Sequence, residues 1–409
     1  MTTTTVSTTP VTTTPGATRR RPGSEADQIG GVGAGEVARP ESIEEVREIL
    51  RTAQVDGSSV VPHGARTKLG WAAPPSSCDV ALDLTGLDEI VEHTAGDLVV
   101  VAQAGVRLAD LQKHVGAAGQ MLALDPPEQG ATLGGILSAN ASGPRRLRYG
   151  TVRDLLIGVT VVLADGTIAV SGGKVVKNVA GYDLGKLYTG AHGTLGAVVS
   201  TTWRLHPLPP ARRVVTLPVA DSAEAGRLVQ LLVRSPLTPT AVELIGAGGS
   251  MSLSVLFESI EESVQAQSVA ATARLGGGTT TEELPERFGQ RPGGPGDLVL
   301  RLAYQPYSLP AVLDALPGDA SYSCSASGIA YVALPVGAQA SGATIALEQL
   351  RAAVAPHDGT VVVLSAPAGL QSGLDHWGPV GDSLDLMRRV KDRFDPKRQM
   401  SPGRFVGGL

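Results

Sequence analysis

Three glycine-rich segments in the first half of the sequence limit most strongly what this chain can fold into. They lie at residues 61–68, 125–150 and 172–199, next to apolar runs that are typical of strands or helices. Small residues leave backbone N–H groups accessible in a turn, which is the condition for cradling a phosphate group. The segments therefore predict a phosphate-bearing ligand, although each one alone is also compatible with an ordinary turn.

The first segment, VPHGARTK, follows a predicted strand at residues 58–61. Pro62 fixes the direction in which the chain leaves the strand, and Gly64 permits a close backbone approach. Thr67 and Lys68 add side-chain donors, and the loop contains no acidic residue that would compete for them. A diphosphate fits such a loop, and a plain turn is the alternative.

The second segment predicts a short helix that begins after Thr132 and has two glycines in its first turn. We expect this start to leave bare N–H groups that point toward a ligand, with Arg145, Arg146 and Arg148 supplying positive charge nearby. The alternative is a glycine-packed helix followed by a solvated basic turn. The arginines themselves suit a carboxylate, a phosphate or a docking partner equally well.

The third segment contains glycines at 190, 193 and 196, which bracket a turn into a predicted strand at residues 197–202. A backbone with so few side chains could lie flat against a planar heterocycle and form hydrogen bonds with its edge. A plain hairpin is the alternative.

Composition and charge describe a globular chain. The 409 residues are 42% hydrophobic and 18% charged, which is enough for two or three cores because single cores rarely exceed roughly 250–300 residues. The net charge of −5 gives no signature of a nucleic-acid partner, and no apolar run approaches the roughly 18 residues of a membrane span. Cys78 and Cys324 are far apart, which indicates a reducing compartment and excludes an iron–sulfur cluster on this chain. We expect a cytoplasmic chain, held at the inner face of a membrane at most through its partners.

Changes in composition divide the chain into four parts. Residues 1–39 are rich in Thr, Pro and Gly and predict a disordered tail. Residues 40–207 mix short strands and helices and end in the proline-rich WRLHPLPP, residues 208–390 alternate strands with helices, and residues 391–409 form a C-terminal segment. The predicted strands of the third part are 214–219, 253–257, 298–303, 329–335 and 360–365, and the predicted helices of the chain include 42–54, 177–188, 222–233, 260–273 and 382–394. This pattern predicts an α+β fold whose second half is a mostly antiparallel sheet backed by helices.

Taken together, the segments resemble one known family. The strings PHGART, PPEQGATLGG, ANASGPRRLRYG and KNVAGYDL, with FDPKRQMSPGR near the C-terminus, look like the FAD-binding fold of the vanillyl-alcohol oxidase (PCMH-type) superfamily. Within it they resemble the FAD-binding subunits of glycolate oxidase. The resemblance spans about residues 40–404 and rests on strings far more specific than glycine spacing. It implies a PCMH-type FAD-binding domain of two α+β subdomains (40–207), an antiparallel-sheet cap domain (208–390) and a C-terminal segment that returns to FAD.

The resemblance also implies which residues contact FAD. Residues of the first loop match the pyrophosphate loop, those of the second segment match positions along the diphosphate and ribityl chain, and later ones match ring contacts or close the site. The implied contacts are Pro62, His63, Gly64, Ala65, Arg66, Thr67, Pro127, Thr132, Gly134, Gly135, Ser138, Tyr149, Gly150, Val198, Val199 and Arg404.

Several positions depart from the family pattern. His63 and Arg66 stand where glycine or small residues are common, and Ser401 stands where Asn usually precedes Pro-Gly. Relatives with covalent flavin carry a histidine at the position of Arg66, so we expect FAD to be held noncovalently. Related hydroxy-acid dehydrogenases carry a C-terminal histidine cluster that binds a metal, whereas the cap region here has only His357 and His376. We therefore expect no metal site, and we identify no catalytic residue.

The function that the resemblance implies is the oxidation of a 2-hydroxy acid such as glycolate to the 2-oxo acid by FAD. Electrons would pass to a partner subunit or another acceptor, and we expect a complex with a second flavoprotein subunit and an iron–sulfur subunit. Two alternatives stay open. One is an accessory FAD-binding subunit that does not itself oxidise the substrate, which the missing histidine cluster favours. The other is a stand-alone flavin dehydrogenase for a different alcohol.

Overall fold

The computed structural model describes residues 18–174, 183–294, 296–336, 340–367 and 369–409. Its N-terminal half is built from a four-stranded sheet, a five-stranded sheet and a two-stranded ribbon. The strands are β1 Arg19–Pro22, β2 Glu36–Arg39, β3 Val60–His63, β4 Val80–Asp83, β5 Ile90–Thr94, β6 Val99–Gln103, β7 Gln120–Met121, β8 Leu156–Val162, β9 Ile168–Gly172, β10 Ala197–Arg204 and β11 His206–Pro207. The helices are α1 Ile43–Asp56, α2 Leu108–Gly116, α3 Leu133–Ala139, α4 Arg146–Tyr149, α5 Val152–Leu155 and α6 Gly185–Tyr188.

The four-stranded sheet has the order β1-β2-β4-β3, and β4 runs parallel to both of its neighbours. Helix α1 joins β2 to β3, as the apolar spacing predicts. Ser42 caps its start because the Ser42 hydroxyl accepts a hydrogen bond from the Glu45 N–H at 3.2 Å, and Gly57 ends it in the left-handed conformation. This sheet and helix leave the chain at the C-terminal end of β3, where the first glycine-rich loop begins.

Residues 18–39 correct the prediction of a disordered tail. Strand β1 pairs with β2, and β2 pairs with β4 in the sheet. The composition hid this because the segment is anchored by charge pairs rather than by an apolar pattern. Arg20 lies 2.8 Å from Glu36 and Arg21 lies 2.6 Å from Asp27, while Ile29 is fully buried. The tail prediction is therefore wrong for residues 18–39, and residues 1–17 lie outside the described part of the chain.

The five-stranded sheet is antiparallel throughout and has the order β5-β6-β10-β8-β9. Its helical cover includes α2 and α3, and the largest buried side chain of its core is Trp203. The predicted turn at Asp165-Gly166 joins β8 to β9. The predicted helix at 177–188 falls partly on residues 175–182, which lie outside the described residues, and its described end forms α6.

The C-terminal half is one antiparallel sheet with helices packed on it. Its strands are β12 Ala211–Val219, β13 Ala241–Ala247, β14 Ser250–Ser259, β15 Thr279–Thr281, β16 Leu298–Ala303, β17 Ser321–Ser325, β18 Ile329–Leu334 and β19 Thr360–Ser365, and its helices are α7 Ser222–Val233, α8 Glu261–Leu275, α9 Leu309–Asp314 and α10 Ala340–Val354. The order is β15-β12-β14-β13-β17-β18-β16-β19. A last helix, α11 Leu384–Phe394, precedes the C-terminal segment.

The predicted α+β class and the predicted antiparallel sheet are confirmed. Two central strands, β13 and β17, were missed because Glu243 interrupts the first and the second reads SYSCS, without an apolar alternation. The domain limits at 207/208 and 390/391 stay a prediction. Among the described residues, no helix is long and apolar enough to cross a membrane.

Candidate functional site

A groove lies where the loop after β3 meets helix α3 and the start of β10. It consists of two adjoining cavities of about 490 and 370 Å³ that share part of their lining. Twelve of the sixteen predicted FAD contacts line it, namely Pro62, His63, Gly64, Ala65, Arg66, Thr67, Thr132, Gly134, Gly135, Ser138, Val198 and Arg404. The three sequence segments and the C-terminal segment therefore meet at one place.

The loop of residues 64–68 offers five consecutive backbone donors to this groove. Within the described part of the chain, none of its N–H groups donates a hydrogen bond to a protein acceptor. Arg66 has a φ of 62°, and this left-handed residue turns the loop so that successive N–H groups form a concave nest. A nest of unpaired donors attracts an anion such as a diphosphate.

The position of the nest is fixed by contacts on both sides. A Cβ on Gly64 would lie 2.1 Å from the Thr132 hydroxyl oxygen, so only glycine lets the loop approach helix α3 this closely. On the outer side, the Arg66 guanidinium donates to the carbonyls of Ala26 at 3.2 Å and Gln28 at 2.9 Å. The N-terminal segment missed from the sequence thus holds the loop in place.

His63 and Lys68 stand at the two ends of the nest. His63 Nδ1 lies 2.9 Å from the Gly64 carbonyl, its Nε2 is buried without a partner, and burial lowers the pKa of the imidazole. Burial also lowers the pKa of the Lys68 amine to about 8, although Glu128 at 3.6 Å opposes this. Lys68 is a donor whose charge depends on what binds beside it.

The start of helix α3 differs from the prediction. The Leu133 and Gly134 N–H groups donate to the carbonyls of Val106 and Ala104, at 2.9 and 2.8 Å, and the Gly135 N–H donates to the Thr132 hydroxyl at 3.3 Å. The expectation of bare N–H groups at this helix start is therefore wrong. Its glycines serve close packing instead, because a Cβ on Gly134 would lie 2.8 Å from the Ala104 Cβ.

The third segment forms the far wall of the groove. Gly193 and Gly196 both have positive φ, and a Cβ on Gly193 would lie 2.9 Å from the Pro62 ring. His192, between them and α6, packs its ring against Trp377 at 5.4 Å. Burial, with smaller contributions from Arg404 and Arg301, lowers the pKa of His192 to about 3, so its imidazole is neutral.

The C-terminal segment closes the groove. Arg404 is 3% exposed and donates to the carbonyls of Leu69 at 3.0 Å and Trp71 at 2.7 Å, while its Nη1 is buried without a partner. Burial lowers the pKa of the Arg404 guanidinium to about 10, so the group stays charged. Ser401 has a φ of 43°, a conformation that Asn tolerates better than Ser, which accounts for the Asn that the family pattern favours there.

A buried ion pair holds this segment against the third segment. Lys391 is 1% exposed and donates to Asp395, to the Thr194 carbonyl and to the Met400 carbonyl, at 2.7, 2.7 and 2.9 Å. All three protons of the ammonium group are therefore satisfied. The pair explains why the segment returns to the groove at a fixed place.

Four predicted contacts do not line these two cavities. Pro127 lines a separate cavity with Arg146, and the Tyr149 ring lies 4.9 Å from the His206 ring. Gly150 ends helix α4 with a φ of 81°, and Val199 is fully buried with its carbonyl accepting from the Ala104 N–H at 3.0 Å.

The groove also has lining residues that the sequence did not single out as contacts, namely Lys68, Leu69, Leu84, Ala104, Ala139, His192, Gly193 and Gly196. Lys68 and the two glycines lie inside the segments already recognised, so spacing could have found them. Leu84 and Ala104 come from elsewhere in the chain and carry no local signal.

The residues present fit FAD. The five bare N–H groups suit a diphosphate, and the unpaired His63 Nε2 and Arg404 Nη1 are buried polar atoms that need a partner. The glycines of the third segment leave flat walls suited to an adenine or flavin ring.

Comparison with known proteins agrees with this geometry. Residues 34–172 match the FAD binding domain family, and residues 375–405 match the C-terminal domain of FAD linked oxidases. Residues 34–172 form an FAD-binding domain. The prediction of FAD as the cofactor is thereby confirmed.

The chain is similar to two curated proteins around its FAD-binding domain. It is 31% identical over 210 residues to glycolate oxidase subunit GlcD of Bacillus subtilis (strain 168), covering 51% of this chain and 45% of that protein. It is 32% identical over 251 residues to D-lactate dehydrogenase of Archaeoglobus fulgidus, covering 57% of this chain and 56% of that protein. The chain thus spans about half the length of these relatives.

The fold as a whole extends beyond the FAD-binding domain. A structure of alkyldihydroxyacetonephosphate synthase superposes with a TM-score of 0.68 at 15% identity, covering 91% of this chain and 78% of that one. The predicted PCMH-type FAD-binding fold is confirmed.

Proposed function

We propose that this chain is an FAD-dependent oxidoreductase subunit that oxidises a 2-hydroxy acid, such as glycolate, to the 2-oxo acid. The observation that carries the proposal is the nest of five bare N–H groups in a groove of an FAD-binding domain. The names of the two curated relatives, a glycolate oxidase subunit and a D-lactate dehydrogenase, support a hydroxy acid as the substrate class.

The chain's own residues bind and orient the cofactor. The nest at residues 64–68 holds the diphosphate, Lys68 adds a positive charge beside it, and the glycines at 193 and 196 let the backbone approach a ring. FAD supplies the hydride acceptor when it is bound. The sixteen contacts inferred from the sequence remain our proposal for the binding residues, with the twelve that line the groove as its centre.

The cofactor is held noncovalently in this proposal. Arg66 stands where relatives with covalent flavin carry a histidine, and its guanidinium is bound to the carbonyls of Ala26 and Gln28. Release of FAD by acid precipitation would follow from noncovalent binding.

A second candidate function is an accessory FAD-binding subunit that leaves substrate oxidation to a partner. The observation that favours it is the state of His192, the groove histidine beside two arginines. With its pKa lowered to about 3, His192 is a weak proton acceptor at neutral pH, where an effective general base has a pKa near the working pH.

We also propose that electrons pass to a partner subunit or another acceptor, in a complex with a second flavoprotein subunit and an iron–sulfur subunit. The similarity to a glycolate oxidase subunit supports this assembly. The proposed units are the FAD-binding domain to residue 207, the cap at 208–390 and the C-terminal segment at 391–409.

The experiment that tests the proposal starts with the visible spectrum of the purified chain and acid precipitation, which measures bound and releasable FAD. The FAD-loaded chain is then mixed anaerobically with glycolate or D-lactate, and bleaching of the flavin absorbance is recorded. Bleaching of the isolated chain supports the oxidoreductase and contradicts the accessory function. Bleaching only after a partner subunit is added supports the accessory function. A chain that takes up no FAD contradicts both.

A further inference from the structure

A third cavity lies between the FAD-binding domain and the eight-stranded sheet. It has a volume of about 350 Å³, and its lining includes Ser142 and Arg146 on one side and Glu243, Ser323 and Tyr331 on the other. Ser142 is 2% exposed, and its hydroxyl has no hydrogen-bond partner within the described residues. A buried hydroxyl without a partner in a polar cavity indicates that something else binds there.

Arg146 brings an unpaired positive charge to this cavity. The side chain is half-buried, and no acceptor or carboxylate of the described residues lies within bonding distance of its guanidinium. Burial lowers the pKa of Arg146, and the positive charge of Arg301 acts in the same direction while Tyr331 opposes both. Two guanidinium groups therefore lie close enough to repel each other.

Arg301 faces the same space from the sheet. On strand β16 it lies directly opposite Tyr331 of β18, and directly opposed residues of an antiparallel pair place their side chains on one face. Its Nε is buried without a partner, and no ion pair to Arg301 occurs within the described residues. Tyr331 lines the cavity, so Arg301 stands at its border.

The acidic groups nearby are already engaged. Asp125 accepts hydrogen bonds from the Gly143 and Arg145 N–H groups, at 3.1 and 3.0 Å, and Glu258 pairs with the Arg145 side chain at 2.6 Å. Glu243 accepts from the Ser323 hydroxyl and from the Gly289 N–H, and burial raises its pKa to about 7. Neither arginine thus has a counter-charge, and an unpaired charge away from water is costly.

We propose that Arg146 and Arg301 form an anion subsite between the FAD-binding domain and the eight-stranded sheet, and that the substrate is a 2-hydroxy acid with a second acidic group. The inference rests on the proposed function, because it treats the ligand of this cavity as the substrate. Arg404, which also has no ion pair within the described residues, lines the FAD groove and is left to the cofactor. The two guanidinium groups at the third cavity then match two negative charges, as in a hydroxy dicarboxylic acid, whereas a monocarboxylate such as glycolate would neutralise one.

The geometry favours carboxylate recognition in particular. Guanidinium groups bind carboxylates through two parallel N–H donors, and the free Ser142 hydroxyl adds a further donor. The carbonyl of the same residue already accepts from the Tyr331 hydroxyl at 3.5 Å, so a ligand here would contact both domains.

The test measures binding without turnover. Calorimetry on the FAD-loaded chain compares succinate and malonate, which carry no hydroxyl to oxidise, with acetate at matched ionic strength. We expect the dicarboxylates to bind at least about tenfold more tightly than acetate, since a second charge-assisted contact is worth about one factor of ten or more. Equal binding of the three anions would overturn the proposal.

Variants assign the binding to the two arginines. Arg146→Gln and Arg301→Gln should each weaken succinate binding by about tenfold or more while leaving the FAD content unchanged. Arg148→Gln is the matched control, because Arg148 lies on the same short helix, is exposed, and donates only to the Thr238 carbonyl. It should change succinate binding by less than about twofold.

The outcomes separate this inference from the proposed function. Loss of FAD in Arg146→Gln, in protein whose folding is verified by circular dichroism, would assign the arginine to the cofactor and overturn the subsite. Unchanged succinate binding in both variants would overturn it as well. Succinate binding that depends on both arginines, in a chain whose flavin no hydroxy acid reduces, would support the subsite and contradict the oxidoreductase function.

Discussion

The loop at residues 64–68 and the start of helix α3 read alike in the sequence and differ in the structure. Both combine glycine with Thr in a turn next to a regular element, and both line the same groove. In the loop, all five N–H groups are free of protein acceptors within the described residues. At the helix start, the first three N–H groups are satisfied by Val106, Ala104 and Thr132.

The difference shows that glycine serves two purposes on the two sides of one groove. In the loop it lets the backbone turn its donors toward a ligand. In the helix it lets the backbone pack against β6 and the residues after it, where Ala104 leaves no room for a Cβ. Only the loop is built to recognise negative charge, so substitutions in the two regions should fail in different ways.

The largest expected effect comes from placing a negative charge in the loop. Ala65 lines the groove and already has a Cβ, so Ala65→Asp adds a carboxylate without a glycine clash. Like charges in contact cost several kcal/mol, so we expect FAD affinity to fall by at least about 100-fold, measured by fluorescence titration of the ligand-free chain.

Ala65→Asn is the matched control, because asparagine has nearly the same shape without the charge. It should lose much less affinity than the aspartate. Equal losses in the two variants would mean that shape, and not the nest of donors, governs binding at this loop.

The next effect concerns packing at the helix start. Gly134→Ala places a Cβ 2.8 Å from the Ala104 Cβ, and overpacking of this kind costs about 1–3 kcal/mol of unfolding free energy. Denaturant titration at a fixed excess of FAD measures it. Gly116→Ala in helix α2 is the control, because no atom lies within 4 Å of its added Cβ. If Gly134→Ala were as stable as the control, the close approach would not limit this position.

The extent to which the sequence predicted the site follows the same division. Contacts made within one segment, such as Pro62 to Thr67, were found because turn chemistry is local. The acceptors that satisfy helix α3 lie about thirty residues away in the chain, and the carbonyls that hold Arg66 belong to a segment whose composition predicts disorder. Likewise, Arg146 and Arg301 meet only through the packing of two domains, which no spacing reveals.

A smaller effect is expected from the titration of Lys68 at the end of the loop. Burial lowers the pKa of its amine to about 8 in the ligand-free chain, with Glu128 and Arg291 as its charged neighbours. A bound diphosphate favours the charged amine, so above pH 8 binding must take up a proton. FAD affinity should therefore be constant below about pH 8 and fall by up to about tenfold per pH unit above it.

Lys68→Met tests the assignment, because it removes the titrating group and should remove the slope from the pH profile. Lys68→Arg keeps a positive charge throughout this range and should also give a flat profile, at higher affinity than the methionine variant. A slope that persists in both variants would place the titration on another group.

The smallest effect sharpens the comparison at its contact point, Thr132. Its hydroxyl caps helix α3 by accepting from the Gly135 N–H and also faces Gly64 of the loop. Thr132→Ala removes the cap, which should lower the unfolding free energy by about 1 kcal/mol. Thr132→Ser keeps the hydroxyl and should lose much less. Because the alanine variant frees one N–H at the helix start, it also makes this region slightly more like the loop. If helix α3 acts only by packing, this freed donor lies against the protein and FAD affinity stays within about twofold; a clear gain in affinity would mean that the helix start, once uncapped, reaches the diphosphate after all.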